Sequence, residues 1–257
     1  MTPFVFYYNG PSAHELREGY NLSLRCASLN VLADAYLKYG NYAHVPPSLL
    51  VPGGRTLHLL RLIHDLKADV IGLQEVERPL AAALEATGKW QQFWSPKVSD
   101  PDGCLMLVRP NITVTDFVTH RYNDDSDYLM QSMVIGGVTY INTHLKWAPA
   151  DEPQHPGVAQ VEELLGWVGK NRPAVIFTDS NDRPGGPARA CLATAGFVNI
   201  CGNEPTALIG SERAPIDLIA VRGVHGRRIQ IDLRPENIPN TACPSDHIPV
   251  MAYIETI

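Results

Sequence analysis

Five short strings spread over more than two hundred residues each carry a carboxylate, an amide or an imidazole: Asn30, Gln74-Glu75, Asp179-Ser180-Asn181, Asp217 and Ser245-Asp246-His247. Oxygen donors outnumber nitrogen and sulfur ones, so the implied ion is hard, magnesium or manganese rather than zinc. The chemistry this suggests is metal-assisted hydrolysis of a phosphate ester. Glu75 follows four residues of buried-strand character, where a carboxylate is costly unless paired or metal-bound; an ordinary strand-end acid in solvent fits the local string equally well. Asp179 and Asn181 are two apart, which aims both to one face if the strand continues; a turn before Pro184-Gly185-Gly186 is the alternative. Asp217 lies among Ile216, Leu218, Ile219 and Ala220, and a buried acid there calls for a partner, for which His247 is the candidate.

Most of these groups stand at or near the ends of apolar runs that read as strands: Leu24 to Leu29, Val70 to Leu73, Ala174 to Thr178, and Ile216 to Val221. Polar groups at separate strand ends are how an α/β scaffold gathers one site. The spacing predicts a first strand within Asn21 to Asn30, a loop over Tyr36 to Gly54, and a helix from Arg55 to Leu66 with Leu59, Leu60, Ile63 and Leu66 on one face. A second helix is expected over Leu80 to Thr87, started by Pro79 and ended by Gly88. Cys104 to Val108, Ile112 to Val118, Leu129 to Ile135 and Val138 to Asn142 read as mostly antiparallel strands, with Gly136-Gly137 as a tight turn. Helices at Val158 to Val168 and Pro187 to Thr194 and strands at Ile229 to Leu233 and Val250 to Ile254 complete the reading. This order is best satisfied by two packed mixed sheets flanked by helices, a four-layer α/β sandwich, with residues 1–257 forming one catalytic domain.

The 257 residues are 45% apolar, enough for a sizeable core. No run of about eighteen apolar residues occurs, which excludes a helical membrane span. Met1 to Gly10 is apolar but has neither a basic leader nor a small-residue cleavage site, so no signal peptide is expected. Five cysteines (Cys26, Cys104, Cys191, Cys201 and Cys243) have irregular spacings, which argues for reduced thiols and a cytoplasmic location. A net charge of -6 argues against coating long nucleic acid by charge alone. An enzyme acting on a strand end or a small phosphoester needs only a local basic patch.

Ser28-Leu29-Asn30-Val31-Leu32, Leu73-Gln74-Glu75-Val76, Asp102-Gly103-Cys104, Asn142-Thr143-His144-Leu145 and Ser245-Asp246-His247-Ile248-Pro249 together resemble the endonuclease/exonuclease/phosphatase superfamily. They look most like its deadenylase branch, which includes nocturnin and the Angel proteins. The resemblance runs from about Leu24 to Tyr253. It implies Glu75 as the principal metal ligand, Asn30 as the amide that positions it and the phosphate, and Asp246 as a further metal-site acid. It implies Asp179 as the group that orients or deprotonates the attacking water and Asn181 as a holder of a phosphate oxygen. His144 and His247 match the histidines that stabilise phosphoryl charge, with Asp217 orienting His247. Thr178 stands where the family carries glycine, which puts the local geometry of that string in question.

After His144, the resemblance places a substrate-shaping loop at Leu145-Lys146-Trp147-Ala148-Pro149. Trp147 or Pro149 is expected to stack on a base and Lys146 to meet a phosphate, the alternative being Trp147 as a core plug and Lys146 as a solvated charge. His155 reads as a plain loop residue. The branch often carries protein-binding repeats ahead of the catalytic domain; this chain reaches its first strand early, so a stand-alone hydrolase without an obvious protein-recruiting module is expected. The leading function is a magnesium- or manganese-dependent phosphoesterase on RNA 3′ ends, by exonucleolytic cleavage or by removal of a terminal phosphate or 2′,3′-cyclic phosphate. The alternatives are a phosphatase on a small nucleotide or phosphoinositide-like headgroup, and a catalytically silent nucleotide-binding module.

Overall fold

The computed structural model describes residues 23–149, 152 and 154–256. The readings made on Met1 to Gly10 and on Asn21 and Leu22 lie outside the described residues. Two six-stranded mixed sheets pack face to face with helices on both outer surfaces.

Each sheet is built around one parallel pair joined by a helical crossover, the connection that parallel strands require. In the first sheet, β1 (Ser23–Asn30) runs parallel to β2 (Val70–Gln74), with α1 (Thr56–Asp65) between them in sequence. Next come α2 (Arg78–Glu85), β3 (Gln91–Pro96) and β4 (Gly103–Val108). In the second sheet, β5 (Thr115–Arg121), β6 (Leu129–Ile135) and β7 (Val138–His144) form an antiparallel run, and β7 is parallel to β8 (Ala174–Asp179) across α3 (Gly157–Val168). After α4 (Pro187–Thr194) come β9 (Val198–Asn199), the hairpin β10 (Ala207–Ile209) and β11 (Glu212–Ala214), β12 (Asp217–Arg222), β13 (His225–Arg228) and β14 (Val250–Glu255). The sheet orders are β13-β14-β1-β2-β4-β3 and β5-β6-β7-β8-β12-β9.

Alternation along the strands sends one set of side chains between the sheets and the other under the helices. In β2, Val70 joins the inter-sheet core with Met106, Tyr140 and Phe177, while Ile71 and Leu73 pack outward with Leu59, Ile63 and Leu84 of α1 and α2. Gly72 lies on the inner face at a close approach of the two sheets: a Cβ there would sit 2.6 Å from Phe177 Cβ and 2.9 Å from Asn142 Oδ1. The β6–β7 turn is Gly136-Gly137, both left-handed (φ 57° and 79°), as a two-residue hairpin requires.

Several expectations are corrected. The segment Tyr36 to Gly54 is not plain loop: 3-10 turns occupy Asp34–Tyr39 and Pro47–Leu49. The buried Arg55 braces this region by donating to Val31 O, Pro244 O and Asp34 Oδ1 at 2.9, 2.8 and 2.6 Å. The face of α1 includes Leu62 in place of Leu60, which is only partly buried. Strand β3 was not expected, because Gln91 and Gln92 break its apolar pattern. The strand sought at Ile112 to Val118 is centred later, on Thr115–Arg121. Ile229 to Leu233 is not a strand; Ile229, Ile231 and Leu233 alternate but pack against the outer cluster of the first sheet, and the neighbouring strand is His225–Arg228.

Candidate active site

The carboxyl ends of both parallel pairs open on the same rim, so the two crossovers deliver their terminal residues to one place. Asn30 stands opposite Gln74 at the ends of β1 and β2, and His144 opposite Asp179 at the ends of β7 and β8. The antiparallel β12 places Asp217 beside Asp179 on its other side. Loops add Asn181, Asp246 and His247, and Ser245 docks the last of these by donating to Asn30 O at 2.7 Å. Glu75, His144, Asp179, Asn181, Asp246 and His247 line one cleft of about 450 Å³. Asn30 and Asp217 stand behind it, hydrogen-bonded to its lining.

Asn30 is the bridge of the cluster. Its Nδ2 donates to Glu75 Oε1 at 2.8 Å and Asp179 Oδ2 at 3.0 Å, while its Oδ1 accepts from Leu32 N at 2.9 Å. Asn30 thereby ties the two carboxylates together, and its oxygen accepts one backbone hydrogen bond. Glu75 Oε2 accepts from Ala33 N at 3.0 Å. Glu75 is left-handed at φ 58°, a conformation that costs a non-glycine residue about 1–3 kcal/mol and turns its carboxylate off the strand axis. Strand β8 ends at Asp179, so Asn181 does not share its face by alternation. A turn brings them together instead: Asn181 has φ 47° and its N–H donates to Asp179 Oδ1 at 2.9 Å. Thr178 keeps regular pairing with Thr143 and Leu218, so the absent glycine leaves this geometry undisturbed.

Asp217 meets His247 Nδ1 with both oxygens, at 2.9 and 3.1 Å. This leaves His247 Nε2 in the cleft, 3.7 Å from Asp179 Oδ2 and 3.9 Å from Asp246 Oδ1. Burial opposes a charge on His247, but Asp217 and then Asp179 outweigh it and hold the imidazole well above its ordinary pKa. His144 differs: burial, Lys97 and His247 all oppose its charge and push it well below the ordinary value. The Asn181 Nδ2, which donates to Leu145 O at 2.9 Å, also faces His144 Nε2 at 2.9 Å, an arrangement that fits the tautomer with Nε2 as acceptor. The two rings therefore feel opposite influences: burial and Lys97 disfavour a charge on His144, whereas Asp217 and Asp179 favour one on His247.

Burial and the charge of Asp246 raise Glu75 to about 7. Burial, with Asp217 adding to it and His247 opposing, raises Asp179 to about 6. Two acids that repel each other in a buried cleft favour a cation between them. Asp246 supplies a second sign: its Oδ1 is buried without a hydrogen-bond partner among the described residues, while its Oδ2 accepts from Tyr42 OH at 2.8 Å. The all-oxygen pair Glu75 and Asp246 fits a hard divalent cation. Asp179, Asp217 and His247 also lie close enough to hold a metal, but both Asp217 oxygens and His247 Nδ1 already satisfy each other.

Of the substrate residues expected from sequence, Trp147 lines the cleft and is 57% exposed, so it is not a core plug. Lys146 and Pro149 are not in the lining. Lys146 N instead donates to the buried Gln160 Oε1 at 2.8 Å, which anchors the loop to α3. Sequence reasoning missed three groups. Tyr42 holds Asp246 from a loop with no local signal. Tyr36 OH donates to Asp102 Oδ1 at 2.6 Å, and that carboxylate also binds the buried Lys97 at 3.1 Å, whose ammonium sits 4.1 Å from the Tyr128 ring centre. Asp102-Gly103 was a visible signal here, but it suggested no partner. His155, read as plain loop, accepts from Gly157 N at Nδ1 and lies 3.1 Å from Asn181 O through Nε2, so it pins the Asn181 turn.

A family model described as Endonuclease/Exonuclease/phosphatase family matches residues 27–247. Among solved structures, ANGEL2, a 2′,3′-cyclic phosphatase, is similar with a TM-score of 0.76 and 17% identity, covering 91% of this chain and 95% of that one. The human Nocturnin catalytic domain with bound sulfate anion is similar at 0.69 and 18%, covering 90% and 93%. Truncated Caenorhabditis elegans TDP2 follows at 0.62 and 18%, covering 90% and 97%. No curated protein matches in sequence. At these identities the structural likeness concerns the fold.

Proposed function

Because the chain belongs to the endonuclease/exonuclease/phosphatase family and is a phosphoester-hydrolysing enzyme, we propose that it is a single catalytic domain that hydrolyses phosphate esters at RNA 3′ ends with the help of magnesium or manganese. The observation that carries this reading is the convergence of Glu75, Asp179, the Asp217–His247 pair and Asp246 on one cleft from four separate segments. The likeness in fold to a 2′,3′-cyclic phosphatase supports the choice of a strand end.

In this reading Glu75 and Asp246 hold the cation, which when bound neutralises charge developing on the phosphoryl oxygens. Asp179 is fixed by Asn30 and by the Asn181 backbone, and with a pKa of about 6 it is ionised at neutral pH yet basic enough to take a proton from water. His247 presents its Nε2–H to a non-bridging oxygen, and Asp217 keeps it protonated and oriented. The Asn181 amide lines the same cleft, its Nδ2 held by His144 Nε2 and Leu145 O. No helix of the described residues is long and apolar enough to cross a membrane.

The test uses end-labelled RNA bearing a 3′-hydroxyl, 3′-phosphate or 2′,3′-cyclic phosphate, with and without magnesium or manganese. Laddering identifies exonucleolytic cleavage, and an altered end without shortening identifies phosphate removal. The cleft, at about 450 Å³, is also of the size that encloses a small ligand, so turnover of a nucleotide phosphate with no action on any RNA end would replace this reading with a nucleotide phosphatase. Failure to turn over any of these substrates would refute it.

A further inference from the structure

Resting on the reading of the cleft as a nucleotide phosphoester site, we infer that it grips only the terminal one or two nucleotides, by stacking on Tyr39 and Trp147 around one phosphoryl group, and does not follow a longer phosphodiester backbone.

The charge around the cleft carries this inference. Among the described residues its lining contains no lysine or arginine, although it is rich in aromatic rings. The cations close by are already engaged. Arg55 is buried and bonded to backbone carbonyls and Asp34. Lys97 is buried against Asp100 and Asp102 at 3.4 and 3.1 Å. Arg183 pairs with Glu212 at 2.6 Å. Lys38 and Lys146 remain, neither in an ion pair among the described residues, and the Lys38 ammonium rests 4.9 Å from the Tyr39 ring centre. A groove that tracks single-stranded nucleic acid, or a pocket for a headgroup with several phosphates, needs more positive charge than two lysines supply.

What the mouth offers is apolar surface from three separate segments. Tyr39 at the end of the first 3-10 turn is 75% exposed, Trp147 after β7 is 57% exposed, and Ile209 at the tip of the β10–β11 hairpin is 44% exposed. Singly these would need no explanation. Gathered on one cleft whose floor holds acids and imidazoles, they form a platform for flat, uncharged rings beside a phosphate, which is the chemistry of a nucleobase.

The test is the KM for a dinucleotide, a hexamer and a dodecamer of RNA with the same 3′ end, each read across salt. KM is expected to stay within about threefold across lengths. With a contribution of about 0.7 per phosphate contact to the logarithmic salt slope, two lysines allow KM to rise less than about tenfold between about 50 and 200 mM salt, whereas six contacts give more than about a hundredfold. Tyr39→Ala and Trp147→Ala are each expected to raise KM about fivefold or more, given about 1–3 kcal/mol per stacked base, with Tyr39→Phe and Trp147→Phe restoring it. Both side chains are exposed, so truncation opens no core cavity. A KM that falls more than about tenfold with length, a hundredfold salt effect, or an unchanged KM in both alanine variants would overturn the inference while leaving the proposed reaction intact. Inactivity on every RNA end would overturn both.

Discussion

Replacing Asp217 by asparagine changes one charge behind the cleft and little else in shape. Asp217 is 3% exposed, and both of its oxygens face His247 Nδ1 at 2.9 and 3.1 Å. Two unit charges about 4 Å apart interact by about 4 kcal/mol at an effective dielectric of about 20, so the Asp217 carboxylate is a large part of what keeps the imidazole charged. The sign is plain: removing the negative charge weakens the hold of His247 on its proton, and burial, which already opposes that charge, then dominates. The Nε2–H aimed at the phosphoryl oxygen is lost from most molecules, or the ring is held in the wrong tautomer. Loss of one such donor costs about 10²- to 10³-fold in kcat. The assay is hydrolysis of a chromogenic phosphodiester with saturating manganese, which reads the chemistry without depending on the natural substrate, alongside a thermal melt. A well-folded Asp217→Asn protein with kcat within threefold of the parent would refute the reasoning.

Other perturbations test separate parts of the site. In the parent protein, manganese at about a hundred times its Kd should stabilise by about 2.7 kcal/mol, a rise in Tm of about 5–10 °C for a chain of this size; Glu75→Gln should abolish that rise at the same concentration, and an equal rise in both would remove Glu75 from the metal site. His155→Ala deletes one hydrogen bond to Asn181 O, worth about 0.5–1.5 kcal/mol, so kcat should fall roughly two- to tenfold; an unchanged kcat would mean that the Asn181 turn holds its shape unaided. Gly72→Ala forces a methyl to within 2.6 Å of Phe177 Cβ between the sheets, and overpacking of this kind costs about 1–3 kcal/mol in denaturant unfolding; parental stability would show that the sheets separate freely at that point.

The architecture was legible in sequence wherever a strand is buried on both faces. Val70 to Leu73 and Ala174 to Phe177 are continuous runs without a polar side chain because these central strands are covered by a sheet on one side and by helices on the other. Where an element is half exposed, its sequence carries less. Gln91–Pro96 pairs fully with β4 yet reads as polar, and the exposed β5 was misplaced by three residues. Ile229 to Leu233 shows the reverse failure: its alternating apolar residues pack against the outer cluster, and the Ile229 N–H donates to Met251 O, but the segment does not continue as a strand.

For the site, the residue types and their places at strand ends came from the sequence, although each string by itself fits a solvated strand-end acid or a turn as well as a ligand. Which groups meet could not be read from it. The Asn30 bridge between Glu75 and Asp179 spans 149 residues in its longer arm, and Tyr42 reaches Asp246 across 204. Burial lowers both His144 and His247, and their opposite shifts depend on the charges each ring then faces, Lys97 adding to burial at one and Asp217 overcoming it at the other. One-dimensional order determined what chemistry the chain could attempt and on which strands. Only packing of the two sheets decided the distances, the burial and therefore the charges, because those depend on contacts between segments that local pattern does not relate.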